Sequence, residues 1–210
     1  MYMKKKISVS FLSSKNIIDD LIDLDSTDAD FIHVDEMDGK FVKSKNTPFR
    51  VLDRLSYILK KRLDVHLMVK KPLKLIEKYI NLNTEYITLH VELEEELFKY
   101  FDIIKSYGIK CGVAINPDTN IEKLKPYLDY VDLILIMSVN PGYGGQTFIE
   151  ETTNRIKEVK KLIGKRKILV SVDGGINEKT KDKVSDSNIL VSGSFVINNS
   201  NYQEQIDKLR

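Results

Sequence analysis

The sequence predicts an α/β fold of the (β/α)8 TIM-barrel class, with residues 1–210 forming a single domain. Short runs rich in valine, isoleucine and leucine alternate with longer amphipathic stretches, which is the pattern of βα units around a parallel sheet. The length of 210 residues is sufficient for eight such units. Polar residues end most of the apolar runs, as expected where strands from all sides meet at one barrel mouth.

Eight apolar runs are predicted as strands. They lie at residues 6–10, 31–35, 63–69, 86–91, 110–115, 131–137, 167–172 and 188–192. Helices are expected in the gaps, for instance at residues 49–61 and 149–163, and a last helix near 201–209 completes the eighth unit. No linker or break in composition interrupts the alternation, so no second domain is expected.

An open doubly wound sheet fits the same alternation, and the position of the unusual residues decides between the two. An open sheet would gather them around one crevice, usually with a glycine-rich turn after the first strand. The segment SFLSS at residues 10–14 is not such a turn. Instead, candidate residues lie at the ends of seven runs: Ser10, Asp35, His66, His90, Met137, Asp173 and Ser192. The barrel is therefore favoured.

Composition and charge exclude several function classes. The chain has 33 Lys and Arg against 31 Asp and Glu, so its net charge of +2 predicts no nucleic-acid or anionic-membrane partner. The basic start is not followed by a long apolar segment, so we expect neither a signal peptide nor a membrane anchor, and a cytoplasmic location. The single cysteine, Cys111, excludes an intrachain disulfide, and its apolar neighbours indicate a buried residue.

Two histidines and two aspartates form the candidate site. His33 and Asp35 are two residues apart in a predicted strand, so their side chains project from the same face. His66 lies on the next strand, and Asp173 ends the seventh strand on the opposite side of the barrel. A lone strand histidine is more often a core residue, and an Asp before Gly-Gly is often a turn residue. Together, two imidazoles and two carboxylates indicate a site for Zn²⁺, Fe²⁺ or Mn²⁺.

This arrangement suits the removal of a proton next to a ketone. A cation can stabilise the charge of the resulting enediolate. Inverting the carbon then needs a base on one face and an acid on the other, and Asp35 and Asp173 on opposite walls provide the two. The two aspartates are therefore predicted to be both metal ligands and proton carriers.

Glycine-bearing loops follow the last three predicted strands. After strands seven and eight, barrels often bind phosphate through backbone N–H groups, which predicts a phosphate site at Gly174, Gly175, Gly193 and Ser194. The segment PGYGGQTF at residues 141–148 is long and glycine-rich, as expected of a lid. Simple turns and a plain surface loop are the alternatives. Met37, Met68 and Met137 are predicted core residues that could also line the site.

The motifs HVDEMDGKFV, DVHLMV, INPDT, DLILIMSVNPGYGGQTF, SVDGGIN and VSGS occur in this order between Ser10 and Phe195. In this combination the sequence resembles the ribulose-phosphate 3-epimerase family. The resemblance implies a barrel of the ribulose-phosphate-binding type that interconverts D-ribulose 5-phosphate and D-xylulose 5-phosphate in the pentose phosphate pathway. It also implies one divalent cation (Zn, Fe(II), Mn or Co), a small-molecule ketose phosphate as the partner, and a homo-oligomer.

The same resemblance implies residue roles. His33, Asp35, His66 and Asp173 would bind the metal, and Asp35 and Asp173 would be the acid–base pair. Substrate contacts would come from the barrel mouth and its glycine loops: Ser10, His66, Gly142, Tyr143, Gly144, Gly145, Asp173, Gly174, Gly175, Gly193 and Ser194.

The chain departs from the family pattern at Val9, Lys15 and Lys43, which flank the barrel mouth. These changes leave the metal set intact but bear on substrate preference. A 3-epimerase of a hexulose phosphate such as allulose 6-phosphate would carry the same motifs. A barrel that binds a sugar phosphate without catalysis is a third hypothesis, although such a barrel needs no acid and base on opposite faces.

Overall fold

A closed ring of eight parallel strands forms the centre of the computed structural model, which describes residues 4–210. Each strand pairs with its neighbours in the order β1-β9-β8-β7-β6-β5-β4-β2, and pairing between β1 and β2 closes the ring. The strands are β1 (Lys6–Ser10), β2 (Phe31–Asp38), β4 (Arg62–Met68), β5 (Thr84–His90), β6 (Lys110–Ile115), β7 (Leu133–Met137), β8 (Leu169–Asp173) and β9 (Ile189–Ser192). A two-residue strand, β3 (Lys45–Asn46), pairs antiparallel with the end of β2.

Helices surround the ring. The α-helices are α1 (Ile17–Ser26), α2 (Phe49–Leu55), α3 (Leu73–Tyr79), α4 (Phe98–Ser106), α5 (Thr152–Ile163), α6 (Ser194–Ile197) and α7 (Tyr202–Leu209), and two 3-10 helices span Ile121–Tyr127 and Lys181–Val184. This is the predicted (β/α)8 barrel. Within residues 4–210, no helix is both long enough and apolar enough to cross a membrane.

The strands have an outer and an inner face because successive side chains alternate. Outward residues such as Val9, Val34 and Val65 pack in the main core against the helices. The inward apolar residues form a separate cluster that fills the lower barrel: Phe31, Tyr86, Ala114, Leu133, Leu135, Met137, Ile189 and Val191. His33 and Asp35 follow Phe31 by two and four residues, so β2 directs them into the barrel interior above this cluster.

The end of β2 differs from the prediction. The strand continues three residues past Asp35 to Asp38, and its last residues pair with β3. The Asp38 carboxylate accepts hydrogen bonds from the backbone N–H groups of Lys40, Phe41 and Lys70. One carboxylate therefore ties together the loops that follow β2 and β4, and both loops border the barrel mouth.

The helix predicted at residues 49–61 ends earlier, at Leu55. Its amphipathic pattern continues, but the Asp25 carboxylate accepts the backbone N–H groups of Lys60 and Lys61. A side chain on α1 thus captures the chain before it enters β4. The helix predicted at residues 149–163 begins at Thr152, and before it the N–H of Ile149 bonds to the carbonyl of Ser138.

Two connections are 3-10 helices where amphipathic helical stretches were predicted. The connection between β6 and β7 contains Pro126, which lacks an N–H and cannot complete an α-helical hydrogen-bond ladder. Cys111, on β6, is fully buried, as predicted.

Candidate active site

The four predicted ligands converge at the mouth of the barrel. One ligand atom from each of His33, Asp35, His66 and Asp173 lies within 4.8 Å of the other three. Oδ1 of Asp35 is 3.4 Å from both His33 Nε2 and His66 Nδ1. Oδ2 of Asp173 is 3.8 Å from the same two nitrogens. Each carboxylate oxygen is therefore equally distant from the two imidazole nitrogens, and the two carboxylates come from different strands, β2 and β8.

Strand register produces this convergence. Asp35 on β2 is paired with His66 on β4, and both point inward. His33 lies one inward position below Asp35, so its ring reaches the same space. Asp173 is the last residue of β8, which stands three strands away from β2 around the ring. The site thus needs side chains from both sides of a closed barrel.

The donor atoms fit a divalent transition metal. Among residues 4–210, His33 Nε2 and His66 Nδ1 are buried and have no hydrogen-bond partner. A buried polar atom without a partner is costly, and here two of them face one point between two carboxylates. Imidazole and carboxylate ligands together suit Zn²⁺, Fe²⁺, Mn²⁺ or Co²⁺. The residues present are therefore compatible with one such ion.

Each histidine is held from behind through its other ring nitrogen. His33 Nδ1 lies 2.9 Å from Oδ2 of Asp64, and the Ser8 hydroxyl donates to the same oxygen at 2.8 Å. These residues, His33, Asp64 and Ser8, are called the His33 arm below.

On the other side, His66 Nε2 lies 2.7 Å from Nε2 of His90, and His90 Nδ1 lies 2.9 Å from Oε2 of Glu92. His66, His90 and Glu92 are called the His66 arm.

The pKa values of His33 and His66 are shifted in opposite directions. Burial lowers the pKa of His33, but Asp35 and Asp64 outweigh burial and raise it well above its ordinary value. Burial also lowers the pKa of His66, and there Asp35 offsets the effect only in part. Burial lowers the pKa of His90 to about 4, against the opposing effect of Glu92. At His33 the two carboxylates of Asp35 and Asp64 thus outweigh burial, whereas at His66 and His90 burial outweighs the opposing carboxylates.

The two aspartates also differ. Burial disfavours the charged form of Asp35, but His33 and His66 outweigh burial and hold the pKa of Asp35 far below its usual range. Burial raises the pKa of Asp173 to about 7, and repulsion from Asp35 and Asp64 adds to this against the attraction of His33. Two neighbouring carboxyl groups with separated pKa values are a common arrangement in acid–base catalysis.

Ser10 supports Asp35 from the third side. Its hydroxyl, at the end of β1, donates a hydrogen bond of 2.7 Å to Oδ2 of Asp35. The hydroxyl oxygen of Ser10 in turn accepts the backbone N–H of Leu12 at 3.3 Å. Ser10 thereby fixes the orientation of the Asp35 carboxylate and links it to the start of the following loop.

A cavity of about 470 Å³ opens above the four ligands. Its wall contains all the predicted site residues except His33 and His66, which are fully buried beneath it: Ser10, Asp35, Met37, Met68, Met137, Gly142, Tyr143, Gly144, Gly145, Asp173, Gly174, Gly175, Gly193 and Ser194. The volume is within the range of small-molecule pockets.

The glycines after β8 are required by packing. A Cβ on Gly174 would lie 2.4 Å from Val139 Cγ2, and one on Gly175 would lie 2.7 Å from the Phe148 nitrogen. Both have positive φ angles, +120° and +65°. The loop therefore lies directly against the base of the 141–148 segment, with its backbone exposed to the cavity. Gly193 and Ser194, at the start of α6, border the same end of the cavity.

The segment 141–148 lies over the cavity and has internal bracing. The Gln146 side-chain amide donates to the carbonyl oxygens of Asn140 and Tyr143 at 2.7 and 2.8 Å. Gly142 lies against Val42 of the loop after β2, where a Cβ would be 3.3 Å from Val42 Cβ. Tyr143 remains 59% exposed. This geometry fits the predicted lid.

The three methionines line the cavity from two levels. Met37 and Met68 pack together with Val42 under the lid contact. Met137 belongs to the cluster that fills the barrel interior. All three are buried core residues that also border the cavity.

Asp64, His90 and Glu92 support the candidate ligands from behind, which was not predicted from the sequence. A signal for them is present, because Asp64 precedes His66 by two residues and Glu92 follows His90 by two. This is the same spacing that joined His33 to Asp35. The chain thus carries three ionisable pairs of this spacing, each around a central valine.

Comparison with known proteins identifies the family. Residues 6–197 match the model of the ribulose-phosphate 3 epimerase family. The ribulose-phosphate 3-epimerase of Bacillus subtilis (strain 168) is 34% identical over 212 residues, covering 98% of each chain. That of Buchnera aphidicola subsp. Baizongia pistaciae is 39% identical over 218 residues, covering 99% of this chain and 96% of the relative.

Solved structures support the fold. A structure described as KGPDC from Streptococcus mutans superposes with a TM-score of 0.72 at 13% identity, covering 99% of this chain and 96% of the other. At this identity the likeness shows the barrel alone. The sequence matches, which span nearly the whole chain, carry the assignment: the chain belongs to the ribulose-phosphate 3-epimerase family.

Proposed function

We propose that the protein is a metal-dependent 3-epimerase that interconverts D-ribulose 5-phosphate and D-xylulose 5-phosphate. The observation that carries the proposal is the convergence of Asp35 and Asp173, from strands three apart around the ring, on two unpaired imidazole nitrogens at the floor of the cavity. The family match and the relatives, which are named ribulose-phosphate 3-epimerases, support it. This reaction belongs to the pentose phosphate pathway.

His33, Asp35, His66 and Asp173 would hold one Zn²⁺, Fe²⁺, Mn²⁺ or Co²⁺ ion. When bound, such an ion supplies positive charge that makes a proton next to a carbonyl group more acidic. The residues behind the ligands fix their orientation, as is usual for metal-binding histidines.

Asp35 and Asp173 would exchange the proton at C3. One carboxylate removes it from one face of the substrate, and the carboxyl group of the other returns a proton to the opposite face, which inverts the carbon. The roles reverse in the reverse reaction, so both groups are needed in both directions. Positioned proton transfer of this kind contributes about 10²–10⁴-fold to the rate. The Ser10 hydroxyl keeps Asp35 aimed at the cavity.

The substrate phosphate would bind at Gly174, Gly175, Gly193 and Ser194, which line the cavity and whose backbone N–H groups would suit an anion. The lid at residues 141–148, including Gly142, Tyr143, Gly144 and Gly145, would exclude water from the enediolate. Met37, Met68 and Met137 would provide an apolar wall around the planar part of the substrate.

We further propose a cytoplasmic homo-oligomer. A charged phosphate ester crosses membranes poorly, which supports a site inside the cell. Four large apolar side chains are each at least 47% exposed: Ile18, Ile22, Tyr57 and Ile58. Side chains that pack between subunits look exposed in this way when one subunit is considered alone. Size-exclusion chromatography with light scattering would test the assembly.

The deciding experiment is proton exchange in deuterated water. Metal-stripped protein should neither epimerise ribulose 5-phosphate nor introduce deuterium at C3, and one of the four metals should restore both. Tight binding of the sugar phosphate without exchange would instead support a non-catalytic binding protein. A higher kcat/KM with a six-carbon ketose phosphate would move the proposal to a hexulose phosphate.

A further inference from the structure

The ring of His66 is part of a chain of three side chains that ends at a carboxylate. His66 Nε2 faces His90 Nε2 at 2.7 Å, and His90 Nδ1 faces Glu92 Oε2 at 2.9 Å. Both rings are fully buried. His90 and Glu92 do not line the cavity, so neither is placed to contact the substrate.

The two rings meet end to end. Their planes are inclined by 26° and their centroids lie 4.9 Å apart. This centroid distance is close to the sum of the Nε2–Nε2 separation and the two ring radii. Such a sum is expected when two rings lie nearly in one plane and meet at their edges. A nitrogen lone pair lies in the ring plane, so the geometry suits one N–H···N hydrogen bond.

The direction of that bond follows from Glu92. A carboxylate only accepts hydrogen bonds, so His90 Nδ1 carries the proton between them. A neutral His90 then has a lone pair on Nε2, and His66 must donate its Nε2–H to it. The proton of neutral His66 is used in this bond. Its Nδ1 is therefore bare, and this is the nitrogen that lies 3.4 Å from Asp35.

Glu92 is held so that this direction cannot easily reverse. Its second oxygen, Oε1, accepts the backbone N–H of Asn116 at 2.8 Å. Phe41 packs against the His90 ring, with centroids 4.8 Å apart, and the ring is fully buried. Both carboxylate oxygens thus have donors, and the His90 ring is shielded from water.

We propose that Glu92 and His90 are positioning residues that keep His66 in its Nε2–H tautomer, so that Nδ1 faces the cation site as a ready ligand. The inference rests on the ligand set proposed above. It assigns no chemical step to His90 or Glu92. They would act only through the orientation and tautomer of His66.

The wild-type tautomer can be read directly by long-range ¹H–¹⁵N NMR on metal-free protein near neutral pH. The chain has 3 histidines, so each ring can be assigned by substitution. We expect His66 as the Nε2–H tautomer and His90 as the Nδ1–H tautomer. Finding His66 protonated on Nδ1 would overturn the proposal without any variant or bound metal.

Two substitutions at His90 form a matched pair. In His90→Gln, the amide NH₂ can donate to Glu92 while the amide oxygen accepts the Nε2–H of His66. Because the acceptor for His66 is kept, we expect Zn²⁺ affinity within about threefold of wild type. His90→Leu removes the acceptor, and we expect affinity about 10–100-fold lower. A chromophoric chelator in competition would measure both, and thermal unfolding would check the fold.

Equal Zn²⁺ affinity in wild type and His90→Leu would overturn the proposal. So would a loss of tenfold or more in a folded His90→Gln, an outcome that stays readable even if His90→Leu fails to fold. If wild type itself bound no metal while His66 showed the expected tautomer, the ligand set would be wrong and the hydrogen-bond chain correct.

Discussion

The His33 arm and the His66 arm deliver the same ligand type to the same point by different means. Both histidines stand at equal distances from Asp35 and from Asp173, 3.4 and 3.8 Å. Behind His33 is a carboxylate, Asp64, in direct contact. Behind His66 is a second ring, and the carboxylate of Glu92 lies one ring further away.

A residue behind a metal-binding histidine can do two things: it can fix the orientation of the ring, and it can change the basicity of the ring. The two arms differ in the second. Direct contact with Asp64 fixes the His33 ring and also makes it more basic, as its raised pKa indicates. The chain through His90 can fix the proton on His66 while keeping negative charge away from it, and the pKa of His66 is lowered by burial. If a carboxylate were in direct contact with each histidine, two further negative charges would lie close to Asp35 and Asp173.

The largest expected effect comes where the two arms meet. Asp35→Asn and Asp173→Asn should each lower kcat by about 10²–10⁴-fold or more, because each removes a proton carrier and a charged ligand. Circular dichroism should show an intact barrel. Substantial turnover in either variant, measured by a coupled assay with ribulose 5-phosphate, would contradict the two-aspartate mechanism.

Asp64→Asn tests the His33 arm. The amide can present its NH₂ to His33 and disturb its tautomer, and the charge beside the ring is lost. We expect metal affinity to fall about 10–100-fold, towards the upper end of this range. Competition with a chelator is the measurement, and the folded His90→Gln variant is the comparison. A smaller loss in Asp64→Asn than in His90→Gln would reverse the ranking of the two arms.

Ser10→Ala should lower activity by less, and Ser10 is part of neither arm. The variant removes the hydroxyl that orients Asp35 but leaves all four ligands. A hydrogen bond to a charged group contributes about 1.5 kcal/mol or more, so kcat/KM should fall about tenfold. Metal affinity should change much less than in Asp64→Asn. Equal losses of affinity in the two variants would show that Ser10 supports the ligands as strongly as Asp64 does.

Cys111 provides a baseline outside both arms, with almost no expected change. Burial raises the pKa of its thiol to about 12, so the reactive thiolate is scarce at pH 8 and increases only at strongly alkaline pH. A thiol reagent should label the native protein slowly and the unfolded protein at once. Rapid labelling at pH 8 in Asp64→Asn or His90→Leu would show that the barrel itself had opened.

Periodicity and the polar residues at strand ends were sufficient to predict the barrel and the cluster of four candidate ligands. The two-residue spacing of His33 and Asp35 defines a face whatever the details of packing, and apolar runs predict strands within a few residues. Helix ends were less predictable. Residues 56–61 continue the amphipathic pattern of α2, yet the helix ends at Leu55, and the distant Asp25 carboxylate binds the N–H groups of Lys60 and Lys61 instead.

The outer partners show a further limit. The pairs Asp64–His66 and His90–Glu92 repeat the spacing of the first pair, so their importance could be inferred from sequence. Which atom meets which could not, because this depends on the stagger between strands. Register places Asp64 beside His33, and not beside its own neighbour His66. That stagger is a property of the closed ring.

Closure of the ring between β1, β2 and β9 also has a consequence for the order of folding. Three of the four ligands lie within the first 66 residues of the chain, whereas Asp173 lies on β8 and comes into place only when β9 has joined β1. Such a contact between distant parts of a chain forms late, because the intervening loop must first be closed. A complete cation site would therefore exist only in the finished barrel. A bound ion would then stabilise the fully folded state relative to every partly folded form, because only the folded state has the complete site.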